Sequence, residues 1–436
     1  MIWCIRNARL AQGDGLFDLR IEGERLVEIL PAADRLDASD LNANGAWVLP
    51  GLIDPHVHFN EPGRTEWEGL ESGSEALAAG GGTVFFDMPL NSNPPVTKLA
   101  AFEEKRRIAE VKSVTDFGLW AGIVPGNTDE LRRLHDAGAV SFKAFLCDSG
   151  IAEFPASDPA TMRAAMRVAA SCGAMVGVHA ESPSALGVTH GEDWRAFAEA
   201  RPVEAECAAV RSLVEWAGES GCRLHIVHVS APEVLDLIAA ARKVGVNITG
   251  EVCAHHAFLD ETAMEKIGVL AKCAPPLRDA KRVADIWDRW QEVCCVASDH
   301  SPAPVEMKRE MPFVKAWGGI AGVQHTLPLF AGRWFAEGRS MDELQRLIAG
   351  GAAQRWQLQD RGRIKVGAFA DFAIVARDDT ASIALEDLRD RNRASPYVGV
   401  RPGARVTHTL RRGLLIMEHG KICVEGGGQF VRPVLC

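Results

Sequence analysis

The chain has 436 residues, 47% of them hydrophobic, which suffices for one large domain, a smaller companion and a substantial core. Its net charge of -10 gives no basic stripe, and so no electrostatic case for nucleic acid or an anionic membrane surface. No apolar run reaches the ~18 residues of a membrane span, the first residues lack a secretory-signal pattern, and a cytoplasmic protein is expected.

Residues 2 to about 48 alternate short β-like runs with turn signals such as Gly13-Asp-Gly15, without a long helical period. From Leu49 onward apolar strands alternate with Ala- and Leu-rich helical stretches. Strands are expected near 49–57, 83–88, 117–124, 139–146, 174–179, 223–229, 246–252 and 293–298, with helices between them, for example over 68–79, 158–171 and 231–244. Eight such units predict an α/β fold, a (β/α)8 TIM barrel over residues 49–362, with its chemistry at the C-terminal ends of the strands. Two connections, residues 180–203 and residues 302–319 with Lys308, Lys315 and Trp317, exceed the usual loop length and are expected over the barrel mouth. Helical runs are expected near 317–336 and 341–355. Residues 363–436 then return to strands, which with residues 1–48 should form one small flanking β-sandwich domain.

The 11 cysteines are scattered and form no Cys-x-x-Cys pair, which argues against both a disulfide framework and a thiolate zinc site. Most are expected to be reduced packing residues, Cys273 first among them despite its place near the suspected chemistry.

Val48-Leu-Pro-Gly-Leu-Ile-Asp-Pro-His56-Val-His58 reads as an apolar strand running into two histidines that leave its end on one side. The plain reading of an isolated His-x-His is coincidence. Here further strands also end in chemistry-bearing residues: Phe142-Lys143, Val176-Gly-Val-His179, His225-Ile-Val-His228 and Val296-Ala-Ser-Asp299. Imidazole and carboxylate donors without thiolates suit zinc, with manganese, cobalt, nickel or iron as alternatives. A lone catalytic zinc normally takes three protein ligands, whereas a pair of ions about 3.5–4 Å apart would use the whole set. Lys143 is either a lysine paired with a carboxylate elsewhere or an amine carbamylated by carbon dioxide into an anionic bridge. Spacing alone leaves both open. His135, His190, His225, His325, His408 and His419 read as surface or packing residues, and His300 as a support for Asp299.

Pro50-Gly-Leu-Ile-Asp-Pro-His56-Val-His58, Gly80-Gly-Gly-Thr-Val, Asp87-Met-Pro, the Phe-Lys143 strand, His179-Ala-Glu181, His228-Val-Ser230, Ser298-Asp299-His-Ser-Pro302 and Gly367-Ala-Phe-Ala-Asp371 resemble, in order, the motifs of the amidohydrolase superfamily. The resemblance spans nearly the whole chain and lies in the cyclic-amidase branch of dihydroorotases, hydantoinases, dihydropyrimidinases and allantoinases. It implies two divalent metal ions per subunit. His56 and His58 would hold one and His179 and His228 the other, with Lys143 bridging as N6-carboxylysine and Asp299 serving as both ligand and catalytic proton carrier. A homotetramer is also implied.

Two departures and one likeness sort the branch. Asn60 stands where dihydroorotases carry a carboxylate-gripping arginine. Asp148 stands where hydantoinases and dihydropyrimidinases place a tyrosine. Glu61-Pro-Gly-Arg-Thr-Glu-Trp67, Met88-Pro-Leu-Asn91, Leu270-Ala-Lys-Cys273 and Lys315-Ala-Trp-Gly-Gly are similar instead to the allantoinases. That likeness implies a small neutral cyclic ureide as substrate, in ureide catabolism, with Asn60, Asn91, His255, Cys273 and Ser301 as expected contacts. Ala254-His255-His256 departs from the usual Pro-His-aromatic run there. A hydantoinase-like amidase is the alternative within the branch, and a non-catalytic scaffold of the same fold the alternative outside it; the six intact ligand positions favour an enzyme.

Overall fold

Gly51 is where the chain crosses from one part of the fold to the other. Residues on its N-terminal side pair antiparallel with the segment beginning at Phe372, and residues on its C-terminal side run parallel to the segment beginning at Gly82. A Cβ at Gly51 would meet Thr83 Cγ2 at 2.3 Å, so only glycine permits the crossing. The single strand expected over 49–57 is therefore two strands in two sheets.

The computed structural model describes residues 2–33, 37, 40–309 and 311–434. Residues 1, 34–36, 38, 39, 435 and 436 of the two terminal segments, and residue 310 of the connection expected over the mouth, lie outside the described residues.

In chain order the strands are β1 (Ile2–Ala8), β2 (Phe17–Glu22), β3 (Arg25–Pro31), β4 (Leu41–Asn42), β5 (Trp47–Pro50), β6 (Leu52–Val57), β7 (Gly82–Asp87), β8 (Asp116–Leu119) and β9 (Ala121–Gly122). There follow β10 (Phe142–Phe145), β11 (Met175–His179), β12 (Arg223–Ile226), β13 (Ile248–Cys253), β14 (Cys295–Ala297), β15 (Phe372–Asp378), β16 (Gly403–Arg411), β17 (Leu414–Glu418) and β18 (Lys421–Ile422). Strands β6 to β14 are parallel neighbours in sequence order, and β8 and β9 share one barrel position interrupted at Trp120. That indole is fully buried and donates Nε1–H to Pro55 O at 2.9 Å. The barrel closes where Val57 bridges His300 and His58 N donates to His300 O at 2.7 Å. Residues of β6, β7, β8, β10 and β11 are buried throughout, as parallel strands covered on both faces require.

Helices cover the outside. Pro159–Ser171 shows why they form where they do: Asp158 caps the first turn by accepting from Thr161 N at 2.7 Å, and Pro159 occupies the first helical position. Its buried face carries Met162, Ala165, Met166 and Ala169, and each such methionine contributes roughly 1.5–3 kcal/mol by leaving water. The helical run expected near 317–336 begins only at Thr326. Gly319 explains the delay: its φ is +125°, and a Cβ there would lie 2.1 Å from Ser301 O, so the chain passes this point as a tight loop.

The terminal segments make two sheets, β3-β2-β1-β4 and β18-β17-β16-β15-β5. Ile5, Leu19, Ile21 and Leu26 of the first pack with Val48, Phe372, Ile374 and Leu410 of the second. No described helix is long and apolar enough to cross a membrane. The ten described cysteines are all free.

Candidate metal centre

Barrel geometry brings the six expected ligands together. His56 lies in β6 with His58 just past its end, Lys143 lies in β10, His179 closes β11, His228 follows β12 by two residues, and Asp299 follows β14 by two. His228 and Asp299 have φ of 38° and 43°, left-handed values that L-residues adopt rarely and that concentrate at functional sites. All six are buried except for the Asp299 side chain, which keeps 14% exposure.

Two of the histidines, His56 and His179, are oriented by buried carboxylates. His56 Nδ1 lies 2.6 Å from Glu251 Oε1, and His179 Nε2 lies 2.6 Å from Glu181 Oε2. A carboxylate that takes the N–H of one ring nitrogen leaves the other as a lone pair, the arrangement that orients metal-binding imidazoles. His179 Nδ1 then faces His228 Nε2 at 3.0 Å, and His56 Nε2 faces Asp299 Oδ1 at 3.1 Å, with His58 Nε2 3.4 Å from the same oxygen. Acceptors facing acceptors at such distances fit a cation between them. The buried Nζ of Lys143 has no hydrogen-bond partner among the described residues, and its amine sits 5.0 Å from the Phe145 ring. Phe145 in turn stacks on His179 at 4.6 Å. This donor set of nitrogens and carboxylate oxygens fits divalent zinc or a neighbouring first-row ion.

Burial governs the electrostatics. It pushes the Lys143 amine down to about 8 and holds His58, His179 and His228 below the ordinary imidazole range. At His56 burial acts the same way, but the charges of Asp299 and Glu251 outweigh it and the net shift is upward. At Asp299 burial opposes ionisation, yet His56, His58 and His228 hold the carboxyl well below its usual range.

A cavity of about 320 Å³ opens above these groups. Asn91, Cys273 and Ser301 line it, as does Asp148. Asn60 and His255 do not, contrary to expectation. Asn60 has φ of 64° and is wholly buried, with Nδ2 donating to Pro302 O at 3.4 Å. His255 is buried in the short helix Ala254–Phe258 with its ring 4.3 Å from that of His256. Burial keeps the Cys273 thiol far above its ordinary range, consistent with packing. Both long connections reach the mouth: Phe197 and Arg201 come from the first, Val314 to Gly319 from the second.

Several contributors were not anticipated. Glu251 supports His56 and also lies 3.1 Å from His225 Nε2, which makes His225 part of the site's foundation rather than a simple packing residue. Glu181 pairs with Arg201, whose backbone carbonyl accepts from Arg278. Glu181 stood inside a quoted motif, but no local pattern marks Glu251 or Arg201. His300, expected to support Asp299, turns its ring elsewhere: its Nδ1 accepts from Gly322 N at 3.3 Å and its Nε2 lies 3.4 Å from Glu68.

A parallel (β/α)8 barrel with histidines, a buried lysine and an aspartate at its strand ends defines a hydrolase of the metal-binding barrel class. A family description, Amidohydrolase family, matches residues 47–416, and the chain belongs to that family. It is 43% identical to an allantoinase of Solibacter usitatus (strain Ellin6076), over 98% of this chain and 96% of that one. It is 40% identical to an allantoinase of Deinococcus radiodurans, over 97% and 96%. Among solved structures, the L-hydantoinase (dihydropyrimidinase) from Arthrobacter aurescens superposes with a TM-score of 0.94 at 30% identity, covering 99% of both chains.

Proposed function

We propose that this protein is an allantoinase, a cyclic amidohydrolase that opens the five-membered ring of allantoin to allantoate in ureide catabolism. The observation that carries the reading is the near full-length identity to allantoinases, 43% and 40%, in a chain whose six ligand positions converge on one cavity. His56 and His58 would hold one divalent ion and His179 and His228 the other, Lys143 bridging them as a carbamate and Asp299 completing the first. Zinc is the proposed metal, with manganese, cobalt, nickel or iron as substitutes. When bound, such a pair supplies Lewis acidity at the ring carbonyl and a water acidic enough to ionise near neutral pH.

The chain's own groups do the rest. Lys143, whose amine burial brings down to about 8 so that a neutral fraction is available near neutral pH, would form an N–C bond to carbon dioxide and release a proton, giving an anion with two oxygens. Asp299 accepts a proton from the attacking water as the C–O bond forms, then gives it to the ring nitrogen as the C–N bond breaks. Glu251 and Glu181 hold the imidazoles in place throughout. Asn91, Ser301 and Cys273 line the cavity and would contact the substrate, whereas Asn60 and His255 lie outside its lining. The described residues up to Pro50 and from 363 onward would make up the flanking sandwich, and those from Gly51 to 362 the barrel with its closing helices. A homotetramer in the reducing cytoplasm agrees with the family likeness and the free cysteines.

The fold likeness to a hydantoinase favours a second reading, a hydantoinase-type amidase. One substrate panel separates the two: allantoin, hydantoin, dihydrouracil and dihydroorotate with metal-loaded protein. A site built to hydrogen-bond the ureido arm should favour allantoin by at least about 10²-fold in kcat/KM over the unsubstituted rings. Equal or better turnover of another substrate would overturn the allantoinase reading and leave the cyclic-amidase chemistry intact.

A further inference from the structure

Residues 314–319 form a continuous part of the cavity lining, and a buried lysine fastens them there. Lys272 Nζ donates to the carbonyls of Phe313 and Val314 at 2.8 Å each and of Ala316 at 2.6 Å. An ammonium has three N–H donors, and all three are used, so Lys272 has none left for a ligand although it borders the cavity. Its own carbonyl accepts from Gly319 N at 2.7 Å, and Lys308 Nζ donates to Gly319 O at 2.5 Å. The loop is thus held at both ends.

What it presents is Trp317. The indole stands edge-on to Trp67 with ring centroids 4.8 Å apart, and its far edge lies 3.9 Å from where a Cβ on Gly150 would sit. It therefore spans the mouth between the loops that follow β6 and β10. Its Nε1 is buried and has no acceptor among the described residues. An indole N–H is a donor only, and buried donors in folded proteins are almost always matched. The scissile ring amide belongs at the strand ends beside Asp299, so a donor on a residue that lines the mouth lies on the side from which the ring substituent would project.

We infer that Trp317 is a specificity-determining residue that donates Nε1–H to a carbonyl on the substrate's ring substituent, and that Lys272 is the positioning residue that holds it there. The ligand class is a cyclic ureide bearing a ureido or amide arm. This rests on the cyclic-amidase reading of the site.

The test measures kcat and KM for allantoin and for unsubstituted hydantoin, with bound metal quantified, in wild type, Trp317→Phe, Lys272→Met and the double variant. Trp317→Phe keeps the ring and removes the donor. It is expected to lower kcat/KM for allantoin about 10-fold or more while changing hydantoin less than about 2-fold, at unchanged metal content. Lys272→Met should reproduce that selective loss, and the double variant should be little worse than either single one, since both act through one contact. Equal losses on both substrates in Trp317→Phe, or no loss on allantoin, would overturn the donor role. Equal losses on both in Lys272→Met, or full additivity, would overturn the positioning role. If Lys272→Met fails to fold, Lys272→Gln takes its place under the same criteria. Wild-type protein that opens hydantoin but not allantoin would fail the allantoinase reading instead, and a hydantoin with an amide-bearing substituent would then still read the Trp317 contact.

Discussion

Glu251 Oε1 sits 2.6 Å from His56 Nδ1 inside the barrel, both side chains fully buried, so β13, one strand removed from β6 across the closure at β14, decides which nitrogen of His56 faces the mouth. The charge of Glu251 has no solvent to stabilise it and depends on His56 and His225. Glu251→Gln keeps the shape but loses the charge that holds the His56 proton. Metal affinity is expected to fall about 10- to 100-fold, the usual cost of losing a carboxylate behind a metal-bound imidazole. Chelator competition measures it, and unchanged affinity would remove Glu251 from the site's support.

Lys143 carries the second prediction. Its buried Nζ is unpaired among the described residues, which is costly for an ammonium and suits a neutral amine that takes up carbon dioxide. Lys143→Ala should lose metal and activity together, and short carboxylic acids supplied in trans should restore part of both. Intact mass under non-denaturing conditions should show one added carbon dioxide per active chain; fully active protein without that mass would rule the carbamate out.

The barrel and the sandwich meet at a buried charge network, the source of the third. Arg361 donates to Asp116 at 2.6 Å and to Asp371 at 2.5 Å, while Arg412 Nε lies 3.1 Å from Asp116. Arg361→Met would leave Asp116 and Asp371, both buried, with one cation fewer. Removing one partner from such a network typically costs about 3–5 kcal/mol. The denaturation midpoint should fall while kcat of the folded protein holds, because none of these residues lines the cavity.

The barrel was legible because its strands are apolar runs, most of them followed by a helix, and the candidate ligands could be picked out because they sit at the ends of those runs. Strand ends, however, do not reveal which way a side chain turns. Asn60 and His255 stand where contacts were expected, yet a left-handed φ at Asn60 and the short helix around His255 put them outside the cavity lining. Glu251 and Arg201 reach the site across neighbouring strands and a long loop, relationships set by barrel register rather than by spacing along the chain. The split at Gly51 was written in Pro50-Gly51, a turn signal inside an apolar run. The loop at residues 317–325 was masked by a helix-like composition that Gly318, Gly319 and Gly322 interrupt.

Asp299 separates binding from chemistry. Its Oδ1 is within 3.1 Å of His56 Nε2 and 3.4 Å of His58 Nε2, and it keeps an opening to the cavity, which places one carboxylate against both the ligand set and the space where a substrate would lie. As one ligand of six it should matter modestly for metal retention, because five donors remain. As the proposed carrier of the proton from water to ring nitrogen it should matter greatly for turnover. Asp299→Asn preserves the shape and one oxygen but cannot take up a proton at neutral pH, so kcat is expected to fall about 10²- to 10⁴-fold, the range for a general acid or base, while most of the metal stays. Metal analysis and steady-state rates on the same preparation read both quantities. A variant that loses metal in proportion to activity would make Asp299 a ligand first, and one that keeps both would move the proton transfer to another group in the cavity.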